Sequence, residues 1–193
     1  LIAVCFIFFY STIIFSKPST SNASLIIDAE LLLLEQNTSL LTASSNVDFH
    51  FESLHWKTDT LYYNYHENTF RMPNTSILSD SEMTIAIDNF SYDGKLFLGG
   101  GENLALQLNH VRLDAKKLDI NTKRVLMNNV VFTTCEPCMS PNYDIRIKKL
   151  YYYPQFGLFV AISNKLDVSF LPFSVWVPTY AYGNPIYAID GGA

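Results

Sequence analysis

The chain has 193 residues, of which 49% are hydrophobic, 15% aromatic and only 16% charged, with a formal net charge of −5. That length fits one domain around one sizeable core, and the acidic balance, with Lys and Arg scattered apart from short pairs such as Lys116-Lys117 and Lys148-Lys149, argues against a nucleic-acid partner. The charged fraction falls below the roughly 25% of an average soluble chain, so more apolar surface is present than charge can screen.

Leu1 to Phe15 form an apolar run of signal-peptide length, short of the roughly 20 residues a membrane-spanning helix needs. The run directs export, followed either by cleavage near Ser21-Asn22-Ala23 or by retention of residues 1–15 as a membrane anchor. Residues 16–24 are a polar linker without hydrophobic period, and the folded part spans 25–180. Leu31 to Leu34 reads as a buried strand that turns at Asn37-Thr38.

From there apolar residues recur at every second position: Val47, Phe49 and Phe51; Met83, Ile85 and Ile87; Leu104, Leu106 and Leu108; Tyr143, Ile145 and Ile147; Leu158, Val160 and Ile162; Leu166, Val168 and Phe170. Period two is the signature of a strand with two distinct faces, and no helical period interrupts it. Turn residues punctuate these runs at Asn37, Asn68, Gly94, Asn121 and Gly157, spaced 26 to 36 residues apart, and Asn, Asp or Gly supplies the positive φ that tight hairpins need. Asn46-Val47, Asn103-Leu104 and Asn129-Val130 read as strand starts, and Gly99-Gly100-Gly101 as a bend between strands. The expected fold class is all-β, a layered stack of antiparallel hairpins of open jelly-roll type.

Ile27-Asp28-Ala29-Glu30, the run Leu40-Leu41-Thr42-Ala43-Ser44-Ser45-Asn46-Val47, and Leu54 to Tyr63 (LHWKTDTLYY) resemble the repeating unit of the OstA-like lipopolysaccharide-transport family. Phe132-Thr133-Thr134-Cys135-Glu136-Pro137, with Leu171-Pro172-Phe173 and Pro178, resembles the periplasmic domain of that family's outer-membrane assembly member. The resemblance covers residues 25 to 180 and is weakest over 64 to 115. Ser45 departs from the Gly that the family usually has before Asn-Val, which implies a different bend; Cys138 is a cysteine the family motif does not require.

The resemblance implies an open V-shaped β-jelly-roll in the periplasm that holds acyl chains between its two sheets. It also implies partners: lipopolysaccharide or a similar amphiphile, a homologous jelly-roll bridge protein joined by edge-strand pairing, and an outer-membrane barrel with its lipoprotein plug, toward which residues 181–193 form a tail. Leu25 to Leu34 and Leu166 to Val177 are the candidate edges. Candidate lipid-lining residues are Phe49, Phe51, Ile85, Ile87, Leu104, Leu106, Ile145, Ile147, Val160 and Ile162, where removal of acyl chains from water at about 25 cal/mol per Å² would drive binding. The alternatives are a jelly roll of the same bridge that residues 1–15 anchor in the inner membrane, and a secreted structural β-domain with a filled core.

Cys135 and Cys138 form a C-x-x-C, which in an exported chain predicts a disulfide. The resemblance implies that Cys135 bonds a distant partner in a barrel; a local Cys135–Cys138 bond is the alternative. Zinc would need two more ligands and redox catalysis a helical context, so neither metal nor cofactor is expected. His50 and His55, five residues apart, are expected on opposite faces of a strand. No catalytic triad, phosphate loop or carboxylate pair is recognisable, and a carrier rather than an enzyme is expected. N-x-[ST] triplets at Asn22, Asn37, Asn74 and Asn89 are a weak signal in so Asn- and Ser-rich a chain.

Overall fold

A computed structural model describes residues 25–51, 54–79, 83–108, 111–134, 143–168, 173–178 and 180–182. Expectations for residues 1–24, for Cys135 and Cys138 and for residues 183–193 lie outside them. The described residues form strands β1 (Leu25–Asp28), β2 (Leu31–Glu35), β3 (Leu40–Phe51), β4 (Leu54–Asn64), β5 (Thr69–Met72), β6 (Ser76–Ser79) and β7 (Met83–Asp93). β8 (Leu98–Leu108), β9 (Val111–Ile120), β10 (Val125–Thr133), β11 (Tyr143–Tyr153), β12 (Leu158–Val168), β13 (Val175–Val177) and β14 (Tyr180–Tyr182) follow. The only helical turn among the described residues is 3-10, at Pro154–Phe156.

All pairings are antiparallel, in one continuous sheet with order β1-β3-β4-β5-β7-β8-β9-β10-β11-β12-β13. β2 adds to β3, β14 to β12, and β6 bridges β4 and β7 beside β5. The fold is therefore all-β, an open stack of antiparallel hairpins of the jelly-roll class, as alternation and turn spacing predicted. No helical layer covers the sheet among the described residues, yet Ala43, Met72, Leu78 and Leu113 are at most 2% exposed. Among the described residues only the sheet itself is left to cover them, so it bends back over its own apolar face.

The device that bends it is a line of left-handed residues. Ser45 and Asn46 in β3, Asn89 in β7, Asn103 in β8, Asn129 in β10 and Ser163 in β12 all have φ between 49° and 64°. The line crosses the sheet, because Asn103 and Lys116, Lys116 and Asn129, Asn129 and Lys148, and Lys148 and Ser163 are skipped together between regular register pairs. Each skipped residue shifts the inward phase by one: Val125 and Met127 point to the core before Asn129, Val130 after it. A left-handed residue repeated at one level in successive strands, left out of the ladder together with its cross-strand neighbour, kinks each strand there and so bends the whole sheet. Asn46, Asn103 and Asn129 thus sit within long strands rather than starting them, a correction with a clear cause: the phase shift imitates a strand boundary.

Two further readings change. Gly99, Gly100 and Gly101 lie inside β8 rather than in a bend, because neighbouring backbone leaves no room for a side chain: a Cβ on Gly100 would stand 2.5 Å from the Leu118 carbonyl oxygen. Leu31 to Leu34 form a strand that is exposed instead of buried, since β2 pairs only with β3 at the sheet's edge.

The turns fall where Asn37, Asn68, Gly94, Asn121 and Gly157 placed them. Their chemistry is partly different. Asn68 and Gly157 have positive φ, but Ser39 and Phe97 take that conformation in place of Asn37 and Gly94. Three turns share an Asx motif in which one side-chain oxygen accepts two backbone N–H groups: Asn64 from His66 and Glu67, Asp93 from Lys95 and Leu96, Asn121 from Lys123 and Arg124. Successive turns also stack, the Tyr65 N–H donating to the Ser39 carbonyl and the Gly94 N–H to the Asn68 carbonyl.

Candidate functional site

Residues directly opposite in antiparallel strands share a face, so the registers can be followed across the sheet. One row runs Ile27, Phe49, Trp56, Leu78, Ile85 and Leu106. It continues through Leu113, Phe132, Ile145 and Leu166 to Val175. Every position is apolar, from β1 to β13. A second row, nearer the bend, carries Leu104, Ala115, Val130 and Ile147 and ends on Asn164 opposite Val177.

The first row is buried at Phe49, Trp56, Leu78, Leu106 and Leu113, half-buried at Ile27 and Ile85, and most open towards β13. Phe132, Ile145 and Leu166 are half-buried; Val175 is exposed. At the opposite end Phe49 stacks on Trp56, with ring centroids 5.6 Å apart, and Trp56 in turn lies 5.6 Å from Phe90. Aromatic packing seals the face near β4, while towards β11 to β13 it stays partly accessible.

Of the ten candidate lining residues, Phe49, Ile87, Leu104, Leu106 and Ile147 lie in the core, with Ile85 and Ile145 packed against it. Phe51 stands in β3 opposite Leu25 and Leu54; its side chain falls outside the description. These eight lie in half-strands on one side of the bend. Val160 and Ile162 do not join them. They lie across Ser163 and alternate with Phe159, which is buried, and Ala161, which packs on the core, so they point outward beside Tyr151 and Lys149. The left-handed kink at Ser163 hides this from period-two counting. Trp56, Leu78, Leu113, Phe132 and Leu166 were missed; a register ladder would have found them, but alternation within one strand does not carry it.

Asn164 is 2% exposed at the open end of the second row. Its Nδ2 donates to the Pro178 carbonyl at 3.0 Å and to the Ala161 carbonyl at 3.3 Å, which ties the β13–β14 connection to β12. Its Oδ1 has no partner among the described residues, an acceptor at the mouth of an otherwise apolar surface.

The outward face is polar. Arg146 reaches Asp167 at 2.7 Å and Asp144 at 3.4 Å, bridging two carboxylates that stand opposite each other in β11 and β12. Beside the bend, Asp88 accepts from Thr75 at 2.6 Å and from Asn103 at 3.0 Å, and these bonds hold its carboxyl below the usual carboxylate range. The two free edges, in contrast, are apolar: Leu31 is 61% exposed on β2 and Trp176 68% on β13. Charge is confined to Asp28 and Glu35 at the ends of β1 and β2, and Pro178 stands just past β13, so the apolar stretches between them are left for strand addition.

One expectation about this face is corrected. His50 and His55 lie on the same face, as direct register partners in β3 and β4. The reversal of chain direction between the strands makes residue parity irrelevant.

No family model matches the sequence, and no curated protein matches it. Among solved structures, the chain aligns with LptH, described as the LptA-homologous periplasmic component of the conserved lipopolysaccharide transport device of Pseudomonas aeruginosa. The identity is 10% over 83% of this chain and 98% of that one, with a TM-score of 0.29.

Proposed function

We propose that this chain is a periplasmic carrier domain, not an enzyme, which holds the acyl chains of lipopolysaccharide or a comparable amphiphile on the apolar face of its folded sheet and passes them toward the outer membrane. The observation that carries the reading is the unbroken apolar row from Ile27 to Val175, which is half-buried at Phe132, Ile145 and Leu166 and exposed at Val175. Such a row offers a hydrocarbon chain a path along the sheet, and each Å² removed from water contributes about 25 cal/mol. The sequence resemblance to OstA-like proteins supports the same reading, and so do the two apolar edges, each suited to strand addition by a similar jelly roll.

In finer terms, the residues around Cys135 and Pro178 favour a domain like the periplasmic part of LptD, which would act beside an outer-membrane barrel and its lipoprotein plug. An LptC-like protein anchored in the inner membrane by residues 1–15 is the second reading, favoured by the apolar length of that run. Sequencing the N-terminus of the mature protein separates them: a start near Ser24 supports the first, an intact Leu1-to-Phe15 segment the second.

Photocrosslinking tests the carrier function itself. A photoreactive residue placed at Phe132, Ile145 or Leu166 should give lipopolysaccharide adducts in living cells, and one at Val160 or Ile162 on the outward face should not. Absence of adducts at Phe132, Ile145 and Leu166 alike in a folded, exported protein would sink the carrier reading in favour of a structural β-domain.

A further inference from the structure

We propose that Asp48, His50 and His55 form a binding site for a divalent transition-metal ion of the zinc, nickel and copper class, on the outward face of β3 and β4. The site is independent of the apolar face, which lies on the other side of the sheet. Asp48 and His50 are two apart in β3 and so share that face, and His55 of β4 is the direct partner of His50.

The two imidazoles stack with centroids 4.4 Å apart and planes within 6°. Both rings turn the same edge to one carboxylate oxygen, so that His55 Nε2 lies 2.5 Å and His50 Nε2 3.2 Å from Asp48 Oδ1. The donor atoms of all three side chains lie within 4.8 Å of one another. Tetrahedral zinc, bound at about 2.0–2.2 Å to nitrogen and oxygen, needs donors drawn together in this way. Rotation of the Asp48 carboxyl about its own side-chain bonds would admit an ion between them.

The donor set selects the ion. Two imidazole nitrogens and one carboxylate suit zinc, nickel or copper, whereas calcium and magnesium demand oxygen ligands. The surrounding charge favours a cation as well. Asp28 stands opposite Asp48 on β1, and Lys57, whose Nζ is 4.0 Å from Asp48 Oδ2, is the one cation opposite Asp48 on β4. Lys57 is 62% exposed and free to swing into water. Three protein ligands leave the remaining position open towards solvent, beside the free edge at β1. A bound ion would cross-link β3 and β4 at that edge.

The test is a zinc titration by calorimetry on the full chain, with its cysteines alkylated so that Cys135 and Cys138 do not compete. The unaltered protein should take up one equivalent. The double variant His50→Ala/His55→Ala should bind at least about 10-fold more weakly, since even loss of an outer-shell partner costs that much, and His66→Ala, on a distant turn, should bind as the parent does. Far-UV circular dichroism checks that each variant is folded. X-ray absorption at the zinc edge should show two imidazole ligands. Zinc uptake that is undetectable in the parent, or equal in parent and double variant, would overturn the proposal.

Discussion

Ser45 is held at φ 64°, a conformation that costs a residue with a side chain about 1–2 kcal/mol. The resembling family usually has glycine there, which occupies that region freely. Ser45→Gly should therefore raise unfolding stability by up to about 1 kcal/mol, the relief of strain being partly offset by the added freedom of the unfolded chain. Urea denaturation of the two proteins measures it. Asp88 acts at the same bend in the opposite sense, since its hydrogen bonds from Thr75 and Asn103 lower its pKa in the folded state. A depressed folded pKa stabilises the protein above the ordinary carboxylate value, and that contribution fades as pH falls through the lower, folded value. Asp88→Asn should accordingly be less stable than the parent at pH 7, and the gap should close in strong acid, as read from urea midpoints across the acid range.

Among the elements, β8 shows how a strand is chosen against its own propensity. Gly99-Gly100-Gly101 disfavours strand formation, yet the backbones of β7 and β9 approach so closely that a side chain at these positions would collide with Ser91, Leu118 or Asp88 backbone. Gly100→Ala should cost about 1–3 kcal/mol, the range of overpacked interiors. A thermal melt would show it, and an unchanged melting temperature would mean that β9 yields more easily than its pairing implies. The edge elements follow a different logic. β2 is a run of four leucines with no second neighbour, and β13 presents Val175 and Trp176 to solvent. Strands left so apolar at both ends suit a protein whose edges are used.

For the whole molecule, the row of left-handed residues turns one sheet into its own cover. That arrangement makes Asn129 a global position, although its side chain is exposed. Valine at φ 52° is strongly disfavoured, so Asn129→Val should destabilise the entire fold by about 1–2 kcal/mol. Asn128→Val, one residue away in a regular register pair with Lys117 and Lys149, should be close to neutral. Equal effects at both positions, by urea denaturation, would show that the bend does not depend on that conformation.

The amino-acid sequence alone determined that the chain is an antiparallel all-β stack, because period-two alternation and hairpin turns are local properties: Val47-Phe49 and Leu104-Leu106 declare a strand face, and Asn68 and Gly157 declare turns, without reference to any other strand. Which parity points inward was decided only in three dimensions, since each left-handed kink moves the phase by one residue and leaves Val160 and Ile162 on the outer face. The same holds for the cluster of Asp48, His50 and His55, which no spacing along the chain records. Register between strands is a non-local quantity, set by the sum of cross-strand pairs, and both candidate sites of this protein are built from register.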